Sequence, residues 1–472
     1  MKRRPPALLA AVAGLAAAAH AVAPATELAA ELAAHVSQPI FTRATWGVAV
    51  AAPGADAPLW ETNAARLFPP ASTAKPFTGA LALDVFGPEH RLETRVLAAG
   101  FPDRRGRLRG DLVIVGAGDF SFAARFHEGR HERSLDRLAD AIAAAGVREI
   151  EGGLVGDDTA LRGPRLGPGW AWDDLQYYYG AEPSALVAED NVLDLVLRPG
   201  AAVGQPCLIE PQPPLPPFGL RNETRTGPTN AASRITIERP LRGGPVTLRG
   251  GLPLAGRPWT GAVAVHEPAA WFLLLLGAEL AERGIRIRGA DRVEAASAGG
   301  LVELARVPSP PMRELVRLMM KPSQNLYAHT LLMLAGNQSA PDTPDSTAAG
   351  LRALAQFSSR AGLPPGSVRL EEGAGLSRGT LVTPAAVLAL LQGMDRHPAA
   401  ASFHGSLPVA GVDGTLRNRF REGPARGNLQ AKTGTLTGVH SLAGYVTNAA
   451  GTRLAFVVLL NHYLPPGTNA PT

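Results

Sequence analysis

Ser72 and Lys75 stand three residues apart in 66-RLFPPASTAKPFTGALALDVFG-87. A serine hydroxyl becomes a strong nucleophile when a neighbouring base takes its proton, and a lysine amine is such a base only while uncharged. Pro69 and Pro70 precede the pair and Pro76 follows it. Proline breaks a helix interior but is tolerated in the first turn, where the N–H groups have no intrahelical partner. The helix is therefore predicted to open near Ser72, with Lys75 one turn along. Residues i and i+3 share a face, so hydroxyl and amine become neighbours at the positive end of the helix dipole. That positive end and burial both disfavour the ammonium form. The competing account is a helix-capping serine beside an unrelated surface lysine.

Two later stretches supply partners. In 321-KPSQNLYAHTLL-332, Ser323 and Asn325 straddle Gln324 just before a helical run. A loop there can aim a proton-relaying hydroxyl and a positioning amide into a cleft, although ordinary helix capping also accounts for both residues. In 430-QAKTGTLTGVHSLAGYV-446, Lys432, Thr433, Gly434 and Thr435 precede a strand-like run. On an edge strand, Lys432 and the threonine hydroxyls are expected to face a substrate carboxylate, and Gly434 to let a ligand backbone come close. The alternative is an ordinary polar strand. Each pattern is weak alone. Their order, S-x-x-K then S-x-N then K-T-G, is the signature set of serine acyl-transfer enzymes that act on penicillin and D-Ala-D-Ala.

Composition bears on the same residues. Of 46 basic residues only four are lysines, namely Lys2, Lys75, Lys321 and Lys432. Arginine cannot be deprotonated in a protein, so the lysines that survive this bias are candidates for sites that need an amine. The first 21 residues, with a basic start, an apolar run and small residues at Ala19 and Ala21, read as a secretory leader cleaved near Ala21 or Ala23. Losing Lys2, Arg3 and Arg4 with it lowers the formal charge from +5 to +2. Neither that charge nor any basic run interleaved with aromatics argues for nucleic acid. No later stretch is long and apolar enough to span a bilayer, so a soluble protein outside the cytoplasm, in the periplasm, is expected. Cys207 is the only cysteine, which excludes an intramolecular disulfide and suits a small buried apolar side chain.

The elements that must hold these groups fall into three stretches. A helix at 26–36, a strand at 45–53 and the helix opening at Ser72 begin the chain. From about Arg95 short strands and turns take over, with a helix at 134–147, an aromatic loop at 167–180 and Pro- and Gly-rich β texture over 199–259. Helices return at 268–284, 311–321, 326–336, 346–362 and 383–394, and two apolar strands at 441–448 and 452–461 close the chain. The 251-position separation of Ser72 and Ser323 is enough for an extra module. A discontinuous catalytic domain over 22–95 and 305–472, carrying a β-rich insertion over 96–304, accounts for this pattern.

With the three motifs in place, the chain resembles the class C low-molecular-mass penicillin-binding proteins, serine D-alanyl-D-alanine carboxypeptidase/endopeptidases of the type-four kind. The resemblance also rests on 155-VGDDTAL-161, 168-PGWAWDDLQYYYG-180, 190-DNVLDLVLRPG-200, 373-GAGLSR-378 and 407-LPVAGVDGTLRNR-419. It implies an α+β, multidomain fold with a transpeptidase/β-lactamase-like catalytic domain, an antiparallel sheet flanked by helices. It also implies two subdomains inserted between the S-x-x-K helix and the S-x-N loop. By resemblance, Ser72 is the acylated nucleophile, Lys75 its base, and Ser323 and Asn325 the relay and amide-holding pair. Lys432 and Thr435 bind the terminal carboxylate, and the N–H groups of Ser72 and Thr435 form the oxyanion hole. Asp158 in Gly-Asp-Asp-Thr, with its neighbour Asp157 as the second choice, matches an aspartate that meets the amino end of a diaminopimelate side chain. The implied partners are peptidoglycan stem peptides and β-lactams, with no cofactor and no metal. Three departures stand out. Glu372-Gly373-Ala374-Gly375 replaces the family's Asp-Gly-Ser-Gly, which is expected to remove a side-chain contact. His329 stands where an acid is common. The chain ends at Thr472, where the family's C-terminal helix is expected to be missing or cut short.

Rival readings are a wall-binding scaffold on a decayed enzyme fold, a β-lactamase, and a zinc peptidase built on 127-HEGRH-131. The H-E-x-x-H pattern needs a helix to put both histidines on one face. Gly129 interrupts it, and the helical texture begins only at Ser134.

Overall fold

The computed structural model describes residues 25–463 apart from 56, 214–218, 242 and 298. The expected leader and the chain beyond 463 lie outside the described residues. The chain divides into two compact units, Met1–His90 with Gly167–Gly169 and Pro311–Thr472, and Arg91–Leu166 with Trp170–Pro310.

The first unit is built on a five-stranded antiparallel sheet. Its strands are β1 (Thr45–Ala51), β2 (Trp60–Thr62), β3 (Gln430–Leu436), β4 (Val439–Thr447) and β5 (Arg453–Asn461), in the order β3-β4-β5-β1-β2. The β5 sequence Arg453-Leu-Ala-Phe-Val-Val-Leu-Leu-Asn461 is an almost unbroken apolar run, because a central strand is covered on both faces. Phe456, Val458 and Leu460 join Leu28 and Leu32 of helix α1 (Ala25–Val36) in one core. Helix Pro384–Asp395 packs on β1 and β5. Strand β3 occupies a sheet edge: among the described residues β4 is its one partner strand, and a single bridge joins Gln430 to Val409 on the other side.

Helix α2 (Lys75–Phe86) is apolar almost all round and buried from Lys75 to Leu83, as a helix enclosed by other helices must be. Its neighbours are α3 (Met312–Met320), α4 (Asn325–Ser339) and α5 (Ser346–Arg360). The expected opening of this helix differs in detail. Residues Ala71–Ala74 form a 3₁₀ turn, and the α-helix starts at Lys75 with Pro76 in its first turn.

In the second unit, strands 93–98, 112–115, 154–157, 292–293 and 302–308 form a mixed sheet, with three smaller sheets beside it. Strand 93–98 pairs with strand 302–308 in the register Glu93↔Pro308. That pairing draws residues 91–95 and 305–310 into the second unit, so the borders lie a few residues outside the expected 95/96 and 304/305. The two expected subdomains share one apolar cluster, which runs from Val96 through Trp271 and Phe272 to Leu248 and includes the buried Cys207.

Candidate active site

The three motif segments converge inside the first unit. Lys75 Nζ lies 2.8 Å from Ser72 Oγ, 2.7 Å from Asn325 Oδ1 and 2.9 Å from the Ala374 carbonyl oxygen. Lys432 Nζ lies 2.8 Å from Ser323 Oγ and donates to the Thr433 carbonyl at 2.7 Å. Ser72, Lys75 and Asn325 thus form one hydrogen-bonded group and Ser323 and Lys432 a second, and the two are coupled by repulsion between the Lys75 and Lys432 amines.

Local backbone geometry aims these groups. Ala71 (φ 50°) and Ser323 (φ 65°) are both left-handed, a conformation that costs a residue with a Cβ about 1–2 kcal/mol. One immediately precedes Ser72 and the other is the S-x-N serine itself. Strain of this kind persists only where the surroundings over-determine it. Ser323 is not a helix cap, because its hydroxyl meets Lys432, and α4 makes no side-chain cap bond at Gln324.

Strand β3 sorts its side chains by face. Lys432 and Gly434 share the face turned to the Ser72 turn, where a Cβ on Gly434 would lie 2.9 Å from Ser72 N and 2.7 Å from Pro70 O. Thr433 and Thr435 lie on the other face, half-buried and exposed respectively. Lys432 is fully buried, so it lies beneath the strand with its amine on Ser323 Oγ. The Ala431 N–H donates to Pro408 O on the side away from β4. The two-residue alternation of an antiparallel strand then points the Thr433 and Thr435 N–H groups to the open edge as well.

The electrostatics follow from burial. Desolvation lowers the Lys75 amine from the ordinary lysine value to about 7, with Glu372 pulling the other way. Burial, and secondarily repulsion from Lys75, holds the Lys432 amine well below its ordinary range. A site that binds two lysines without water lowers the proton affinity of both.

A match to one family runs over residues 28–470, and its description is the D-Ala-D-Ala carboxypeptidase 3 (S13) family. The chain belongs to the S13 family. A D-alanyl-D-alanine carboxypeptidase of Actinomadura sp. (strain R39) is 34% identical over 455 residues, covering 93% of this chain and 82% of that relative. The crystal structure of penicillin binding protein 4 from Haemophilus influenzae matches with a TM-score of 0.78 at 26% identity, covering 91% of this chain and 93% of the other. The same protein complexed with a β-lactam matches with a TM-score of 0.73 over the same shares.

In this S13 chain the remaining sequence candidates fall differently. Asp158 is buried, its Oδ1 accepts from Ser184 Oγ at 2.8 Å and from the Ala185 N–H, and its Oδ2 pairs with Arg165 at 2.5 Å. Its carboxylate is committed to its own unit. The His127–His131 segment is not a helix: Glu128 and Gly129 are left-handed, and His131 Nδ1 meets Glu189 Oε2 at 2.6 Å. The two histidines therefore do not share a helical face. Lys321 donates to the Leu407 carbonyl and to Asp413 Oδ2, both at 2.7 Å, so this third scarce lysine clips two loops together.

Two contacts escaped the sequence reading. Thr433 Oγ1 donates to Thr415 Oγ1 at 2.7 Å; the only signal was that Thr415 lies within 407-LPVAGVDGTLRNR-419. Ala374, where the S13 pattern has serine, still meets Lys75 through its carbonyl. Side-chain comparison could not find that contact, because every residue has a carbonyl. Among the described residues no helix is long and apolar enough to cross a membrane.

Proposed function

We propose that this chain hydrolyses D-alanyl-D-alanine ends, or peptide cross-links, of peptidoglycan stem peptides through an acyl-enzyme on Ser72. One observation carries the assignment of roles. The Lys75 amine sits 2.8 Å from Ser72 Oγ with its proton affinity brought to about 7 by burial. A neutral amine has two N–H donors and one lone pair. Asn325 Oδ1 and the Ala374 carbonyl accept the two donors, which leaves the lone pair for the Ser72 O–H.

Lys75 takes the Ser72 proton as Oγ attacks the carbonyl of the penultimate D-alanine. The N–H groups of Ser72 and Thr435 receive the developing oxyanion. The C–N bond then breaks, and the proton held by Lys75 passes to the departing amine, with the Ser323 hydroxyl as a relay. Water, deprotonated in turn by Lys75, cleaves the ester and frees Ser72. Thr433 and Thr435, on the accessible face of β3, hold the substrate's terminal carboxylate, and the buried Lys432 amine lies beneath them as a hydrogen-bond donor. Asn325 holds Lys75 and the substrate amide. A β-lactam carries a strained amide next to a carboxylate and acylates Ser72 by the same first step. The leader-like first 21 residues support action outside the cytoplasm, in the periplasm. Asp158, whose carboxylate already accepts from Ser184, Ala185 and Arg165, is kept as the candidate partner for the amino end of a diaminopimelate side chain.

Intact mass spectrometry after exposure to benzylpenicillin tests the reading. One adduct is expected, mapped to the peptide that holds Ser72 and absent from Ser72→Ala. An unchanged mass, or an adduct elsewhere, overturns it. Product analysis on purified muropeptides then separates loss of a terminal D-alanine from opening of cross-links.

A further inference from the structure

Behind Lys75 lies a carboxylate that the acylation steps above do not use. Glu372 is fully buried, yet its oxygens are well supplied with donors. Oε2 accepts from the Ala374 N–H at 2.6 Å, and Oε1 from Leu376 N–H at 2.8 Å and Ser377 N–H at 3.3 Å. Both oxygens act as acceptors, the pattern of an ionised carboxylate. The loop is thus wound around its own side chain, and the two carbonyls next to Glu372 are aimed at α2. The Gly373 carbonyl accepts from Thr78 Oγ1 at 2.7 Å, and the Ala374 carbonyl from Lys75 Nζ at 2.9 Å. The next residue, Gly375 (φ 78°), packs so tightly that a Cβ there would lie 2.0 Å from the Ala71 carbonyl oxygen. The segment cannot drift without moving the Ser72 turn.

Charged and titratable groups reach this spot from several elements. Lys75 comes from α2 and Lys432 from β3. His329 comes from α4, where its Nδ1 accepts from the Gly373 N–H at 3.4 Å. Asp345 at the start of α5 acts on His329 from behind. Burial holds His329 below its ordinary value and therefore uncharged near neutrality. Glu372 thus acts on the buried Lys75 amine, which in turn repels Lys432.

We propose that Glu372 is a positioning residue for acylation: it folds residues 373–377 so that the Ala374 carbonyl meets the Lys75 amine, and it supplies the carboxylate charge that faces that amine. The proposal rests on the roles given above to Ser72 and Lys75. A shell that is too dry strips Lys75 of its proton before substrate arrives and weakens it as a base. A carboxylate behind it restores basicity without competing for Ser72, since its oxygens are taken by backbone donors.

The test is the pH profile of acylation by a fluorescent penicillin, run on wild type, Glu372→Gln, Glu372→Ala and Glu372→Asp. In wild type the rate climbs through the titration of Lys75. In Glu372→Gln and Glu372→Ala the climb is expected to move to lower pH by about one unit, as loss of a nearby opposite charge requires. Glu372→Asp is expected to keep the wild-type midpoint with a lower plateau. A plateau loss in the neutral variants with an unmoved midpoint overturns the proposal. So does failure of both neutral variants to fold while Glu372→Asp matches wild type, the result of a purely structural carboxylate. Absence of acylation in wild type at every pH would instead overturn the Ser72 reading.

Discussion

Replacing Gly434 by alanine tests the placement of strand β3 against the nucleophile. A Cβ at this position would lie 2.2 Å from Ser441 Oγ, 2.7 Å from Pro70 O and 2.9 Å from Ser72 N. Non-bonded heavy atoms find their optimum near about 3.5–4.0 Å, so all three contacts are overlaps. Ser441 has little room to retreat, because its hydroxyl donates to Pro70 O at 2.6 Å and accepts from Thr73 Oγ1 at 3.2 Å. The other two atoms are main chain. Relief therefore requires β3 and the Ser72 turn to part by roughly 0.5–1 Å, and with them the Thr435 N–H and the Ser72 N–H. A misplacement of about 1 Å costs catalysis roughly 10²-fold, while overpacking of this size costs about 1–3 kcal/mol of stability. The assay is the acylation rate constant with a fluorescent penicillin, above pH about 8 so that Lys75 is neutral. A drop near a hundredfold is expected, with a fall of only a few degrees in Tm. In the double variant Gly434→Ala/Ser441→Gly the nearest contact disappears but the two backbone contacts stay. Its stability should recover in part and its acylation should not. Acylation within threefold of wild type in the single variant, or full recovery in the double, would refute the reasoning.

Other outcomes follow from the same geometry. Lys75→Arg keeps a positive charge but cannot release its proton, so acylation should fall by about 10²–10⁴-fold, read as the rate of adduct formation by mass spectrometry. In wild type the acylation rate should rise between about pH 6 and pH 8 and then level off, because only the neutral form of an amine titrating at about 7 is a base; a profile falling across that range would contradict the role of Lys75. Lys321→Met removes the donor held by Leu407 O and Asp413, and should cost about 1.5–3 kcal/mol in denaturant melts. Trp271→Ala, in the core of the second unit, should destabilise that unit by about 3–5 kcal/mol, read from its unfolding midpoint.

The long elements of the first unit were legible because their signals are local. Pro76 marks the helix start, the Val457–Leu460 run marks a central strand, and the Ser72 and Ser323 motifs lie at element boundaries, with the Lys432 motif on an edge strand. The short pairings were not legible. Strands 107–108, 149–150 and 286–287 form one sheet from residues far apart in the chain, and two-residue strands carry no periodicity. The same limit displaced the unit borders, which depend on the pairing of 93–98 with 302–308. Alternation says that Lys432 and Thr433 face opposite ways, but not which face is dry. Only the packing of β3 on the Ser72 turn decides that Lys432 is the buried one. Asp158 shows the converse limit. Paired aspartates in a turn carry no sign of their partners in sequence, and only the structure shows Asp158 held by Ser184, Ala185 and Arg165.

The order of strands β3-β4-β5-β1-β2 has a consequence for biogenesis. Thr45 on β1 pairs with Asn461 on β5, so the sheet joins strands more than 400 residues apart, the first and the last among the described residues. Bringing such distant partners together is an entropic cost borne late, after shorter-range contacts have formed. Until β5 arrives, β1 lacks the partner that connects it to β3 and β4, and Lys432 cannot be lodged beneath its strand. A chain still emerging from a ribosome would therefore hold Ser72 without the groups that arm it, and hydrolytic competence would begin only once β5 has been made and has paired with β1 and β4.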